Sequence, residues 1–205
     1  MTFKKPLFVT GIGTGIGKTI VSAILVEKLK ADYWKPIQSG DLDKSDSLTV
    51  QNLISNTITK IHPESYRLTQ PFSPHKSAAL DGITIDQDTI HLPKTDNTLI
   101  IEGAGGLMVP LNNEFLIIDL IKKLGTEVVL VSQNYLGSIN HTLLSIHALK
   151  SYGIPIRGII FNGVEDISSK EFILKNTGVA LLGHIPEYKM IDKTTIIDAG
   201  SHIDL

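Results

Sequence analysis

Cysteine is absent from the 205-residue chain, which excludes thiol nucleophiles, disulfides and thiolate metal sites. No stretch approaches the roughly 20 apolar residues that span a bilayer. The N-terminal MTFKKPLFVTG has too short an apolar run for a signal peptide. A basic block is also missing: 19 Lys and Arg against 21 Asp and Glu leave a net charge of −2, so neither nucleic acid nor a membrane surface is an expected partner. The seven histidines show no metal-ligand spacing, and no zinc site is expected. Internal repeats and low-complexity segments are lacking. These absences leave a cytoplasmic protein with one domain over residues 1–205, long enough for a sizeable α/β core.

The chain does contain short apolar runs alternating with helical patterns. Strands are expected at Pro6–Thr10, Tyr33–Pro36, Thr98–Glu102, Glu127–Ser132, Ile156–Asn162 and Ala180–Ile185. Their apolar character is continuous, as in parallel strands buried on both faces. Helices are expected at Lys18–Lys30, Ser47–Ser55, Phe115–Leu124, Ser138–Tyr152 and Ser168–Asn176. The first is apolar on most faces, which suits a helix held between a sheet and another element. This alternation predicts an α/β fold, a three-layer sandwich with a mostly parallel central sheet covered by helices on both faces. Residues 57–95 carry prolines at 63, 71, 74 and 93 and read as a surface excursion.

Between the first strand and the first helix lies VTGIGTGIGKT, Val9 to Thr19. The usual phosphate loop is G-x-x-x-x-G-K-[ST]; here Gly11 stands one place earlier, because position 12 is Ile12. The mechanism survives that change. Gly13, Gly15 and Gly17 let backbone N–H groups turn toward phosphate oxygens, and the following helix directs its positive end at them. Lys18 would reach the β- and γ-phosphates, and the Thr19 hydroxyl would ligate Mg2+.

YWKPIQSG, Tyr33 to Gly40, places Lys35 at the carboxyl end of a strand, where open α/β sheets bind ligands. A second fixed cation there suits a phosphoryl group shared with an anionic acceptor. Position alone equally allows a snorkelling surface lysine. Ser39 suits either a substrate hydrogen bond or ordinary turn chemistry. TLIIEGAGGLMVPLN, Thr98 to Asn112, ends a strand on Glu102, a candidate Mg2+ ligand, and opens into Gly103, Gly105 and Gly106. Asp46 reads as a site carboxylate or as a first-turn helix acid. Gly137 and Ser138 begin a helix whose free N–H groups suit a carboxylate, with Ser138 as an N-cap the simpler reading.

Together these segments resemble the dethiobiotin synthetase family. The resemblance rests on VTGIGTGIGKT, KPIQSG, SDSL, SPH (Ser73–His75), EGAGGLMVPL, LGSINH, FNG and GHIPE, and runs from residue 9 to 187. It implies a P-loop fold and an ATP site of Gly13, Thr14, Gly15, Ile16, Gly17, Lys18, Thr19, Ile20, Asp46, Glu102, Gly103, Ala104, Gly105, Asn162, Gly163, Ile185, Pro186 and Glu187. In it Asn162 reads the adenine, and Ile185 to Glu187 line the base pocket. Thr19, Asp46 and Glu102 surround Mg2+, and Lys35 and Lys18 are the catalytic lysines. Ser39 contacts substrate. The resemblance likewise implies a homodimer, with Gly137, Ser138 and Asn140 near its interface and helping to hold the substrate carboxylate of the neighbouring subunit. Family loops often carry threonine and aspartate where this chain has Ile12 and Gly13, so no loop carboxylate is expected.

The activity implied is an ATP-dependent cyclo-ligase forming C–N bonds in biotin biosynthesis. It joins 7,8-diaminononanoate and CO2 through a carbamate and a carbamic–phosphoric anhydride. Two other classes share the loop style. A cobyrinate-type amidating ligase usually brings a glutamine-hydrolysing cysteine. A partitioning ATPase predicts a second lysine inside the loop, at the position of Gly13.

Overall fold

The computed structural model describes residues 5–205. Its main sheet has seven strands: β1 (Leu7–Gly11), β2 (Asp32–Trp34), β4 (Ile61–His62), β6 (Leu99–Gly106), β7 (Glu127–Gln133), β8 (Ile156–Asn162) and β9 (Leu181–Ile185). They lie in the order β4-β2-β6-β1-β7-β8-β9, with every pairing parallel. A separate parallel pair, β3 (Ile37–Ser39) with β5 (Tyr66–Leu68), sits beyond the carboxyl end of β2. The helices are α1 (Lys18–Leu29), α2 (Asp46–Leu53), α3 (Pro74–Leu80), α4 (Ile117–Leu124), α5 (Ser138–Ser151), α6 (Ile167–Thr177) and α7 (Lys193–Gly200). No helix among the described residues is long and apolar enough to cross a membrane.

Strand side chains alternate between two cores. Phe8, Ile101, Val128, Leu130, Ile159 and Phe161 face one, with Ile118, Leu120 and Ile121 of α4 and Leu149 of α5. Val9, Ile100, Val129, Val131 and Ile160 face the other, with Val21 and Ala23 to Val26 of α1, Val50 of α2 and Ile196 of α7. Burial on both faces accounts for the continuous apolar runs of the central strands. Each aliphatic side chain so covered stabilises the fold by roughly 1.5–3 kcal/mol. Helix α1 is buried on most sides because α7 lies over it; Lys28 Nζ donates to the Gly200 carbonyl across that contact at 2.9 Å.

The expected central strands and five helices are present, with ends displaced by a few residues. The second strand is Asp32–Trp34 rather than Tyr33–Pro36, because Pro36 interrupts it and the chain re-pairs as β3. Residues 57–95 are more than a surface excursion. They supply β4 to the sheet edge, and Leu68, Ala78, Ile85 and Ile90 to the core. Helix α7 was not expected; its signal is Asp192, whose side chain accepts from Thr195 N at the cap.

At the amino end of β2 the buried Asp32 gathers the sheet edge. It accepts from Lys60 N (3.0 Å), Thr95 Oγ1 (2.7 Å) and Asn97 Nδ2 (3.1 Å), and His62 Nε2 lies 3.1 Å away. Burial alone raises the Asp32 pKa, but the bonds from Thr95, Lys60, Asn97 and His62 outweigh it and hold the carboxyl below its usual value. A depressed carboxyl stabilises the fold above the ordinary value near 4 and loses that contribution as pH falls through its own lowered value. Asp32→Asn should therefore cost on the order of 2 kcal/mol in urea unfolding at pH 7. The difference from wild type should shrink below about pH 4; a pH-independent difference would contradict the role of the charge.

Candidate active site

The carboxyl ends of β1, β2 and β6 are adjacent, so the segments leaving them share one region. The phosphate loop leaves β1, Lys35 follows β2, and Glu102 lies on β6. Gly17 caps α1 at φ +89°, a conformation that L side chains strongly disfavour. A Cβ there would stand 2.2 Å from Asn162 Nδ2, which itself donates to the Ile16 carbonyl at 3.0 Å. The end of β8 is thereby tied to the phosphate loop. At Gly13, by contrast, a Cβ would meet nothing within 4 Å.

Four charged side chains and one hydroxyl converge behind the loop. Lys35 Nζ lies 2.6 Å from Asp46 Oδ2 and 3.4 Å from Glu102 Oε1. Thr19 Oγ1 is 3.0 Å from Asp46 Oδ1 and 2.8 Å from Glu102 Oε1. Lys18 Nζ donates to the Gly13 carbonyl at 2.8 Å. Lys35 is only 4 % exposed and Glu102 1 %, so Lys35 is no snorkelling surface lysine. Burial lowers the Lys35 pKa, but the Glu102 and Asp46 charges and hydrogen bonds win, and the net shift is upward. Asp46 is the reverse: burial raises it, while Lys35 and Thr19 hold it below its usual value. For Lys18, burial dominates, the Lys35 charge adds to it, and the ammonium is lowered to about 8 despite Glu102 and Asp46.

The oxygens of Thr19, Asp46 and Glu102 suit a hard divalent cation. The threonine hydroxyl has one proton to share between two carboxylate oxygens, both within hydrogen-bond distance. One of the two contacts is therefore left without a proton, and a cation would bridge it.

Two cavities open from this region. One, of about 690 Å3, is lined by Thr14, Gly15, Gly17, Lys18, Thr19, Lys35, Ser39, Asp46, Glu102, Gly103, Ala104 and Gly105, with an apolar side of Ile37, Pro71, Phe72, Pro74 and Val109. The other, of about 630 Å3, is lined by Asn162, Gly163, Ile185, Pro186 and Glu187, together with Gln133, Tyr188, Lys189 and Ile191. Ile20 borders both. Ile16 packs its side chain into the core and offers only backbone to the loop. Ser39 Oγ is buried and has no hydrogen-bond partner among the described residues. Gly137, Ser138 and Asn140 line neither cavity; they sit with Tyr135, Leu136 and Ile139 in a separate surface depression. Ser138 is not an N-cap: Gly137 occupies that place, and no side chain caps the helix.

Two buried residues at the site were not singled out from sequence. Gln38 donates to the Gly40 carbonyl at 3.0 Å and accepts from Asp46 N at 3.3 Å. Tyr33 donates from its hydroxyl to Glu102 Oε2 at 2.9 Å. Burial, then the Glu102 and Asp46 charges, push the Tyr33 phenol well above its usual pKa, so it remains a donor. The two-residue spacing from Tyr33 to Lys35 was the available signal, since alternate strand positions share a face.

The AAA_26 family, described as an AAA domain, matches residues 5–195. An ATP-dependent dethiobiotin synthetase of Christiangramia forsetii is 52% identical over 94% of this chain and 92% of its own length. One of Cytophaga hutchinsonii is 48% identical over 94% and 93%. The chain belongs to the ATP-dependent dethiobiotin synthetase family. Among solved structures, a ParA family ATPase of Chlorobium tepidum superposes with TM-score 0.60 at 16% identity, covering 98% of this chain and 100% of its own. The septum site-determining protein MinD of Pyrococcus horikoshii, complexed with Mg-ADP, gives TM-score 0.60 at 16% identity, covering 95% and 86%. At that identity the likeness is one of fold: this synthetase family shares the P-loop architecture of those ATPases.

Gly17→Ala combines left-handed strain of about 1–2 kcal/mol with a collision at Asn162. It should weaken ADP binding at least tenfold in calorimetry, whereas Gly13→Ala should stay within about twofold. Equal effects at the two positions would contradict the loop geometry.

Proposed function

We propose that this protein makes dethiobiotin from 7,8-diaminononanoate, CO2 and ATP, as one synthetase domain over residues 1–205. The observation that carries the residue roles is Lys35, a second buried ammonium between the phosphate loop and the cavity with an apolar side. One amine of the diamine adds to CO2 with loss of a proton, giving a carbamate. A carbamate oxygen attacks the γ-phosphorus, the bond to the β-phosphate oxygen breaks, and ADP leaves. The second amine attacks the carbon of this mixed anhydride, loses a proton, closes the cyclic urea and expels phosphate.

The phosphoryl step joins two anions, whose mutual repulsion Lys18 and Lys35 offset at fixed positions. No enzyme nucleophile is needed, which agrees with the absence of cysteine. Holding two amines and CO2 in one site supplies much of the rate by orientation alone. Ile37, Phe72 and Val109 offer the hydrocarbon chain an apolar wall, and Ser39 Oγ a hydrogen bond. Gln133, Asn162, Gly163, Ile185, Pro186 and Glu187 would take the adenine. Thr19, Asp46 and Glu102 would hold Mg2+. When bound, it adds positive charge for the phosphate oxygens to a site whose own two lysines are balanced by two carboxylates.

The same reading makes the protein a cytoplasmic homodimer. Leu136 is fully exposed, and Leu144, Val164, Ile167 and Phe172 are more than half or nearly half exposed. A second subunit would cover such apolar side chains and receive Gly137, Ser138 and Asn140 beside its substrate carboxylate.

Mass spectrometry of a mixture of protein, Mg2+, ATP, bicarbonate and 7,8-diaminononanoate tests the reaction. Dethiobiotin should form in step with phosphate. Phosphate release indifferent to the diamine would contradict the proposal and favour a partitioning-type ATPase. Lys35→Ala should abolish ring closure while weakening ATP binding only modestly. A loss of binding as large as that of Lys18→Ala would refute a separate role for Lys35.

A further inference from the structure

Tyr33 occupies a position that packing alone would assign to phenylalanine. Its ring is fully buried in the core on the α1 face of the sheet, among side chains such as Val21, Val50, Ile54 and Ile100. Among the described residues its hydroxyl has one partner, Glu102 Oε2, at 2.9 Å. Glu102 divides its two oxygens: Oε1 faces Thr19 at 2.8 Å and Lys35 at 3.4 Å, and Oε2 faces Tyr33. The terminal torsion of a glutamate is intrinsically broad. Without a donor on Oε2 the plane of the carboxylate is held only through Oε1, by Thr19 and Lys35, and can swing about that torsion and move Oε1 off its present line.

We infer that Tyr33 is a positioning residue for the metal-binding carboxylate, fixing Glu102 so that only Oε1 faces the cation. The geometry behind it is a single strand pairing. β2 runs beside β6 with Tyr33 opposite Ile100 and Trp34 opposite Ile101, so Tyr33 and Lys35 reach Glu102 from one neighbouring segment. The tyrosine holds the far oxygen and the lysine approaches the near one. Partners of this kind, one step removed from the ion, typically change metal affinity by 10- to 100-fold when lost. The inference rests on the reading that Thr19, Asp46 and Glu102 hold Mg2+, and its test separates the two.

Free Mn2+ is followed by electron paramagnetic resonance during titration of the ADP complexes of wild type, Tyr33→Phe, Glu102→Gln and the double variant. Tyr33→Phe keeps the ring and its packing, and metal-free ADP affinity serves as the check that the site remains folded. The Mn2+ dissociation constant of Tyr33→Phe should rise about tenfold, with metal-free ADP affinity within about twofold of wild type. In turnover the apparent KM for Mg2+ should rise similarly, while kcat at saturating Mg2+ and the KM for the diamine stay close to wild type. In the Glu102→Gln background, Tyr33→Phe should add nothing further, because its effect passes through that carboxylate. Unchanged Mn2+ affinity in Tyr33→Phe, or an equal further loss in the Glu102→Gln background, would overturn the inference. Glu102→Gln binding Mn2+ as well as wild type would overturn the metal reading and the inference with it. Dethiobiotin formation by the wild type is read separately.

Discussion

Everything at the catalytic end of this molecule is arranged around one cluster of charges, in which Lys35 and Glu102 are buried and Asp46 reaches the cavity. Lys35 lies between Asp46 and Glu102, and Thr19 touches both carboxylates from the other side. Charges removed from water are tolerated only when neighbours compensate them closely. Here the compensation comes from four separate segments: the start of α1, the end of β2, the start of α2 and β6. A shift of any one of these segments would part a charge from its partner in another. The cluster therefore fixes the phosphate loop relative to the cavity with the apolar side.

Sheet order is what lets those segments meet. In the sequence β4-β2-β6-β1, strands distant along the chain become neighbours, and parallel pairing puts all their carboxyl ends on one edge. The other half of the sheet, β7-β8-β9, brings Gln133, Asn162 and Ile185 to the same edge. Asn162 then links the halves by bonding the Ile16 carbonyl and closing over Gly17. A nucleotide spanning both cavities would touch one continuous rim, consistent with the ligand-binding edge of open α/β sheets.

The fold was legible where burial is two-sided. Val128 to Val131 and Ile159 to Phe161 read as strands because both faces of the sheet are covered, which leaves no polar alternation. Two- and three-residue strands such as β4 and β5 carry no period to detect, and their pairing is decided by tertiary contacts. The phosphate loop was legible through spacing, since glycine and lysine positions there follow from backbone geometry. Lys35 was open from sequence because strand position does not report burial; the fold decides it. Tyr33 was hidden for a similar reason, since its spacing to Lys35 hints at a shared face but not at a hydrogen bond to a carboxylate 69 residues away. Gln38 bonds main-chain groups nearby, which any polar residue could do. Ser138 shows the converse, a strong local cap signal displaced by one residue to Gly137.

The central claim is that the γ-phosphoryl group passes to a carbamate oxygen rather than to water. That oxygen originates in CO2 and must leave with phosphate when the ring closes. The direct test supplies 18O-labelled bicarbonate with ATP, Mg2+ and the diamine, quenched before the label exchanges with solvent. The account predicts one labelled oxygen in each phosphate released and another in the urea carbonyl of the product. Unlabelled phosphate alongside labelled dethiobiotin would contradict it, because the phosphoryl group would then have gone to water and the ring would have closed without the anhydride.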